Sequence, residues 1–453
     1  MAKLNQSKRI TFFIILCASL MVSSGHAAEE YIYDPLDERQ ELGDRRPLTG
    51  LQELTPLPRT DLPQVDDKGI RIIPLVDFSA MGTFSHVNDA GSSYGFDING
   101  LFSPVIKIDD KKYIIPYYSG SFSEVRQIVT EEEGGRLTDI ISNHNTSLEY
   151  KHVANRNWIY RYKALSRVHL VKENNFDWGD GLYDYWDAGG GASVEYFFEN
   201  TNTSKNSVTI GGEIYHRTYP NFQSLISLST LTAPETNVKD YVGYRSVLRY
   251  NYRKKGFAVK AVYAPVYKDF DDKKVITSSA VLGSDTRQDW YHFASIDVTH
   301  FPENWTFGYN LLSTFQYNKS NQNFNDSLGT LGIGDDVFTS NYFSYWAFTV
   351  NPSIIIPIRL ENERTAIVIV GYEYLFRNYE SRNVQTGGGI YTTEKQEDQS
   401  HTIQLHTSYP ITDSISAILL ARYSFVSSNQ EFETFYRYSY DALYAAAGLR
   451  FQY

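Results

Sequence analysis

The chain has 453 residues, a formal net charge of −11, 36 tyrosines and 26 phenylalanines, yet its mean hydropathy is −0.38. Cys17 is the sole cysteine, which excludes a disulfide-stapled fold. After the N-terminal leader, no stretch has the length and apolarity of a membrane-spanning helix. The fold must therefore account for both the high aromatic content and the negative mean hydropathy.

The N-terminus has the order of charges and apolar residues that is typical of a secretory signal peptide. Lys3, Lys8 and Arg9 precede an apolar run over 12–22, and small and polar residues follow it. The pattern predicts cleavage after Ala27, with Ala28 as the alternative, so residues 1–27 are expected to be removed. The run is too short to span a bilayer. The chain is predicted to be exported, and loss of the leader makes it more acidic.

Residues 28–69 differ from everything that follows. They carry many charges, little periodicity and a series of prolines, Pro35, Pro47, Pro56, Pro58 and Pro63. Such a composition buries too little apolar area to offset chain entropy, so it predicts a disordered, Pro-rich periplasmic extension. Two alternatives stay open, a plug that folds into the lumen of the domain behind it and a docking segment for a periplasmic partner.

Residues 70–453 divide into segments of about ten residues or more in which apolar and polar side chains alternate. Short connections, such as Ala154–Asn157 and Lys254–Gly256, alternate with long ones, such as Asn221–Val238, Asp269–Gln288 and Tyr379–Ser400. This order predicts an all-β fold, a transmembrane antiparallel up-and-down β-barrel with about 16 strands. About 14 or 18 strands would follow if one hairpin were misread.

The C-terminal segment is the most specific pattern in the chain. Its apolar side chains share one parity, and the chain ends on an aromatic residue: Leu443, Ala445, Ala447, Leu449, Phe451 and Tyr453. This resembles the C-terminal strand of bacterial outer-membrane β-barrel proteins, which the barrel-assembly machinery reads as an address. An amphipathic strand of a soluble β-protein is the alternative interpretation.

The resemblance, to porin-like outer-membrane barrels, covers about Ile72 to Tyr453 in general layout. It implies Phe451 and Tyr453 as the assembly signal and a multi-pass barrel in the cell outer membrane of a Gram-negative bacterium. It also implies outer-membrane lipid, lipopolysaccharide and the barrel-assembly machinery as partners. No nucleic-acid partner is expected.

Basic residues in several predicted strands share the parity opposite to the aromatic and aliphatic residues. Because a charge on the lipid face costs several kcal/mol near mid-bilayer, these side chains should point into the lumen. The predicted pore-lining residues are Arg161, Lys163, Arg167, His169, Arg217, Arg245, Arg249, Arg253 and Lys260. The alternative is that they pair with inward carboxylates, such as Glu149, Glu195 and Glu213, and only fill the interior.

Two further groups of residues are candidates for a binding or catalytic site. An aromatic and acidic cluster, Phe176 to Asp187, combines rings and carboxylates that could grip sugars or, through Asp177, Asp180 and Asp184, a hard cation. An interfacial girdle or packed loop is the competing interpretation, and neither a metal site nor a cofactor is assigned. His144 with Ser142 or Ser147, and His292 with Ser295, match no nucleophile motif. No catalytic residue and no enzymatic activity are therefore predicted.

The sequence predicts an outer-membrane channel for small polar or anionic solutes, with saccharides among the candidates. A charged wall biases which solutes pass through a pore. Export of a polysaccharide is the second hypothesis, because barrels with this function also have charged lumens, although some carry a helical-repeat domain that this chain lacks. A structural or adhesive barrel is the third.

Overall fold

The computed structural model describes residues 70–88, 91–128, 136–172, 177–181, 183–201, 203–222, 237–279, 281–303, 305–326, 337–361, 364–432 and 438–453. The predicted signal peptide and the extension 28–69 lie outside these residues and stay predictions. Every regular element in the described ranges is a β-strand. No helix among the described residues is long and apolar enough to cross a membrane.

The described residues form twenty strands. They are β1 (Arg71–Ile73), β2 (Val76–Val87), β3 (Gly91–Phe102), β4 (Val105–Lys107), β5 (Lys112–Ile128), β6 (Arg136–Val153), β7 (Trp158–Lys172), β8 (Tyr185–Asn200), β9 (Ser204–Thr218), β10 (Tyr241–Lys254), β11 (Phe257–Ile276), β12 (Leu282–His300), β13 (Gly308–Ser320), β14 (Phe324–Asp326), β15 (Val337–Thr339), β16 (Tyr345–Arg359), β17 (Thr365–Gln385), β18 (Tyr391–Pro410), β19 (Ile415–Ser428) and β20 (Tyr440–Gln452).

The long strands form one closed antiparallel barrel of 16 strands, each paired with its neighbours in the sequence. Closure comes from β2 and β20, which pair from Asp77–Gln452 to Val87–Ala442. At the start of β2, Val76 exchanges two backbone hydrogen bonds of 2.8 Å with Tyr453, which follows β20. The all-β barrel of about 16 strands predicted from the sequence is confirmed. Short β1 and β4 extend the sheet beside β5, and β14 and β15 form a separate hairpin.

A side-chain ion pair accompanies the closing ladder. Arg450 of β20 donates from Nε to Asp77 of β2 at 2.9 Å, and Gln452 donates to the same carboxylate at 3.1 Å. Both members of the ion pair are mostly buried. The seam between the first and last barrel strands is therefore held by a charge-assisted contact in addition to its backbone ladder.

The closing ion pair gives a stability prediction. Because hydrogen bonds to charged groups contribute more than neutral ones, Asp77→Asn is expected to lower the free energy of unfolding by about 1–2 kcal/mol. The midpoint of guanidinium unfolding in lipid vesicles measures the change. Asp413→Asn is the matched control, since Asp413 pairs with Arg364 in an exposed turn. Equal midpoints for the Asp77 variant and wild type would contradict the prediction.

The prediction of a long loop is wrong for two segments. The segments Asp269–Gln288 and Tyr379–Ser400 are mostly strand, because β11 continues to Ile276 and β17 to Gln385. Their ladders carry on through register shifts as far as the pairs Ile276–Leu282 and Gln385–Tyr391. A strand outside a bilayer has no lipid-facing side, so it keeps its backbone pairing and loses the apolar alternation. The barrel thus carries two tall hairpins at the end with the long connections.

Contacts between connections brace this end. Asn323, just before β14, donates to the carbonyl of Ile276 at the tip of β11 at 2.6 Å. Asp326, in β14, accepts a hydrogen bond from Tyr391 and a longer one from Gln385. The segment around β14 therefore links the β11–β12 hairpin with the β17–β18 hairpin.

The outer surface of the barrel is apolar between two aromatic zones. Exposed aliphatic side chains lie in the middle of many strands: Ile210, Leu248, Ile296, Leu311, Ile354, Val370, Ile403 and Leu419. Exposed aromatic side chains lie toward the ends of several strands: Trp158, Tyr160, Phe198, Tyr244, Tyr309 and Phe451. A continuous apolar belt of this kind is stable only against lipid, with aromatic girdles at the two interfaces.

Candidate pore lining

The predicted pore-lining residues share one side of the wall. On β7, Arg161, Lys163, Arg167 and His169 alternate with side chains that point to the belt. Arg217 lies on the same side of β9, as do Arg245, Arg249 and Arg253 of β10. Lys260 of β11 stands beside Asn251, which is an inward position of β10. The parity argument from the sequence and the placement in the structure therefore coincide for this set.

Some of these cations are paired with inward carboxylates. Arg161 contacts Glu195 at 2.7 Å and Glu149 at 3.4 Å. Glu213 lies between Lys163, at 3.4 Å, and Arg245, at 3.5 Å. These contacts link β6 to β10 across the inner surface.

A second ion cluster lies nearer the long-connection end. The carboxylate of Asp187, which is fully buried, contacts Arg167 at 2.8 Å and Arg217 at 2.9 Å. Two cations therefore share one carboxylate. The negative charge of Asp187 partly offsets the cost of withdrawing the two guanidinium groups from water.

The remaining basic residues lie toward the short-turn end of the same wall. Arg249 and Arg253 follow Arg245 along β10, and Arg253 is exposed. Lys260 stands opposite Asp297 in the ladder. Inward Lys151 and Lys205 belong to the same surface and were not singled out from the sequence. Between β6 and β12 the inward basic residues outnumber the inward acidic ones.

Toward the long-connection end, the cations of the lumen are stacked on aromatic rings. The guanidinium carbon of Arg217 lies 3.8 Å from the ring centre of Tyr185, and that of Arg382 lies 4.0 Å from Tyr379. That of Arg377 lies 4.9 Å from Tyr345. Such contacts partly replace the hydration that a buried cation loses. Sequence analysis missed this packing, although parity places Tyr215 on the same face as Arg217.

The opposite wall of the lumen has another character. Met81 of β2, Ile418 of β19 and Ala446 of β20 form a buried apolar cluster with Leu420 and Tyr444 packed against it. These side chains share the inward parity of their strands. The lumen is therefore asymmetric, with a basic wall from β6 to β12 and an apolar patch beside the closing seam.

The aromatic and acidic segment Phe176–Asp187 does not form one platform. Tyr185 points inward beneath Arg217, whereas Trp186 is exposed on the outer face. Asp184 accepts backbone hydrogen bonds from Val171 at 2.6 Å and Gly181 at 3.1 Å. Burial raises the pKa of Asp184, against the lowering effect of those hydrogen bonds. Phe176 lies outside the described residues, and no cluster that could hold a metal occurs within them.

The two histidines that were candidates for a catalytic role, His144 and His292, lie on the outer surface of the barrel. His144 contacts Ser142 at 3.0 Å and Tyr118 at 2.9 Å, and all three side chains lie on the outer face of their strands. His292 bonds to the exposed Tyr263 at 2.8 Å, while Ser295 lies on the opposite face of β12. These positions place neither pair in the lumen.

Comparisons with solved structures return bacterial outer-membrane proteins. OccD3 (OpdP) from Pseudomonas aeruginosa has a TM-score of 0.43 at 7% identity, covering 84% of this chain and 91% of its own. OpdK from the same organism has a TM-score of 0.39 at 9% identity, covering 84% and 99%. A bacterial polysaccharide outer membrane secretin has a TM-score of 0.39 at 11% identity, covering 84% and 98%. No protein-family model and no curated protein matches the sequence.

Closure and the apolar belt decide the location. In a bilayer every backbone polar group must be paired, and for strands only a closed barrel achieves this. The protein is an outer-membrane β-barrel. Short turns of such barrels face the periplasm and long connections face outside, so the C-terminus at Tyr453 lies at the periplasmic end. The tall hairpins and the ring-stacked cations lie at the extracellular end.

Proposed function

We propose that the barrel is a channel for small polar solutes with a preference for anions. The observation that carries the proposal is the inner wall from β6 to β12, where basic residues outnumber acidic ones even after the ion pairs are formed. Arg253 is exposed, and Lys163 remains 32% exposed although it contacts Glu213. Water-accessible cations inside a barrel bias permeation toward anions.

The charge distribution supports a pore more than a packed interior. A wall that only filled space would balance its charges, because uncompensated buried charge is costly. Asp187 and Glu213 each contact two cations and Arg161 contacts two carboxylates, so these pairs join five cations to four carboxylates. Outer-membrane lipid, lipopolysaccharide and the barrel-assembly machinery belong to the same proposal as partners.

Single-channel recording tests the proposal. Protein refolded in detergent and added to a planar bilayer is expected to give discrete, ohmic conductance steps in potassium chloride. Heat-modifiable gel mobility first establishes that the added protein is folded. Folded protein that inserts without any conductance would show a sealed lumen, and the structural or adhesive barrel would replace the channel. Saccharides are tested as solutes by liposome swelling on the same preparation.

A further inference from the structure

One sector of the outer surface carries polar groups where other sectors carry the aliphatic belt. Thr146 of β6 and Ser166 of β7 stand directly opposite each other in the ladder, and the row continues to Tyr118 of β5 and Ala188 of β8. Trp186, an exposed ring two residues nearer the extracellular end of β8, places this row inside the apolar band. Thr146 is exposed and Ser166 is partly exposed, so two hydroxyl groups face the lipid layer here.

These two hydroxyl groups differ from the polar groups beside them. His144, the next outward residue of β6, contacts Ser142 at 3.0 Å and Tyr118 at 2.9 Å, so these groups satisfy one another. Neither Thr146 nor Ser166 has a hydrogen-bond partner among the residues that the structure describes. A hydroxyl group without a partner costs free energy in an apolar environment, and lipid tails offer no partner. The pair is therefore unsatisfied as long as lipid covers it.

Outward serine and threonine side chains elsewhere in the belt are isolated. Ser313 of β13 lies between Ile296 and Val350, and Thr407 of β18 also has an aliphatic residue on each side. Over the described strands, no second ladder pair inside the belt sets one serine or threonine opposite another on the outer face. The paired hydroxyl groups thus mark one sector of the barrel.

We propose that the outer surface of β5 to β8, which we call the hydroxyl face, is the contact between two copies of this chain in the outer membrane. Inside membranes, hydroxyl side chains form hydrogen bonds across protein contacts, and small side chains let two surfaces approach closely. Ala164, Ala188 and Gly190 surround Ser166 on the outer face, so a second surface can reach its hydroxyl group. The proposal goes beyond conduction, since each barrel encloses its own lumen.

The chemistry of the hydroxyl face favours a second copy as its occupant. The outward residues named here are uncharged, so two copies do not repel each other. A hydroxyl group both donates and accepts, so the same group can pair with itself across a two-fold axis, and one self-complementary face gives a closed dimer. Four strands about 4.8 Å apart in a band about 25 Å tall give about 500 Å² per copy. Two copies together reach about 1,000 Å², the lower limit for a biological interface.

Cross-linking in isolated outer membranes tests the contact. Cys17 is the chain's only cysteine and lies in the predicted signal peptide, so one introduced cysteine reports one position. With a short bifunctional maleimide, Ser166→Cys is expected to give a species of twice the monomer mass. Ser313→Cys is the matched control, because Ser313 is also a partly exposed outward serine and lies on a distant strand. Equal yields of dimer from the two variants, or no dimer from Ser166→Cys, would overturn the proposal.

A bulky substitution tests the same face without a cross-linker. Wild type is expected to sediment as a dimer in mild detergent. Because overpacking a contact is destabilising, Ser166→Trp should raise the dissociation constant of the dimer about tenfold or more. Ser313→Trp only adds a ring to the lipid-facing surface and should leave this constant unchanged. Heat-modifiable gel mobility establishes that both variants fold. A monomeric wild type, a ring larger than a dimer, or equal constants in the two variants would overturn the dimer and leave the channel proposal untouched.

Discussion

Replacing both Phe451 and Tyr453 with serine is expected to lower the amount of protein in the outer membrane about fivefold, since destabilisation of 1–2 kcal/mol already changes abundance several-fold. Both side chains are exposed on the outer face at the periplasmic end. Phe451 stands beside Phe78 in the ladder with β2 and beside Ile415 in the ladder with β19. The double variant thus loses lipid-facing rings at the seam where the barrel closes, in addition to the proposed assembly signal.

A matched control separates these two effects. Tyr160→Ser with Phe198→Ser removes two exposed rings near the periplasmic ends of β7 and β8, away from the C-terminus. Membrane fractionation with heat-modifiable gel mobility measures folded protein, and periplasmic fractions measure unfolded chain. An equal fall in both double variants would show that lost lipid contact accounts for the effect, and the assembly-signal prediction would then be wrong.

Changing Arg245, Arg249 and Arg253 together to glutamine is expected to shift the pore from anion preference toward cations. One unit charge about 8 Å from a passing ion contributes about 0.5 kcal/mol in water, and screening reduces this to roughly a third at physiological salt. Local anion concentration falls and local cation concentration rises when three charges are removed. The ratio of anion to cation permeability should therefore fall on the order of fivefold.

The structure sharpens the design of this experiment. Arg245 already contacts Glu213, so Arg245→Gln alone should change selectivity less than the pair Arg249→Gln and Arg253→Gln. A triple control removes the same charge from exposed periplasmic turns, at Lys111, Arg156 and Lys255. Reversal potentials in a salt gradient decide the outcome. A cation-selective wild type, or a lumen triple variant indistinguishable from the turn control, would show that the arginines are neutralised and fill space.

The barrel topology could be predicted from the sequence because contact with lipid imposes a strict alternation of apolar and polar side chains along each strand. Along β20 the outward residues from Leu443 to Phe451 are apolar, and the inward positions tolerate Gly448 and Arg450. The same rule fails where strands leave the bilayer. Lys274 still pairs with Thr286, and Asn383 with Lys395, in ladders that continue through register shifts. Water on both faces removes the pattern there, so sequence analysis predicted loops.

The sequence pattern predicts which side chains point into the lumen, but not which residues those side chains contact. Parity alone places Arg167 and Arg217 inside. That both reach the carboxylate of Asp187 depends on the register and tilt of three strands, which no local pattern contains. The sequence did not indicate the packing of Arg287 between two rings for a related reason. Its ring partners, Phe270 and Phe343, lie in different strands or connections and meet only in the folded barrel.

The bracing around β14 has a consequence for anything that meets the cell from outside. Asn323 and Asp326 connect the tips of two tall hairpins, and Glu431 accepts a hydrogen bond from the backbone N–H of Gly387 in the second tip. In the described part of the cell-surface face, the two tall hairpins and the segment around β14 therefore form one conformational epitope. An antibody or phage receptor-binding protein that binds one hairpin would recognise a conformation that depends on the neighbouring segments. A peptide with the sequence of a single hairpin would lack those neighbours and their contacts.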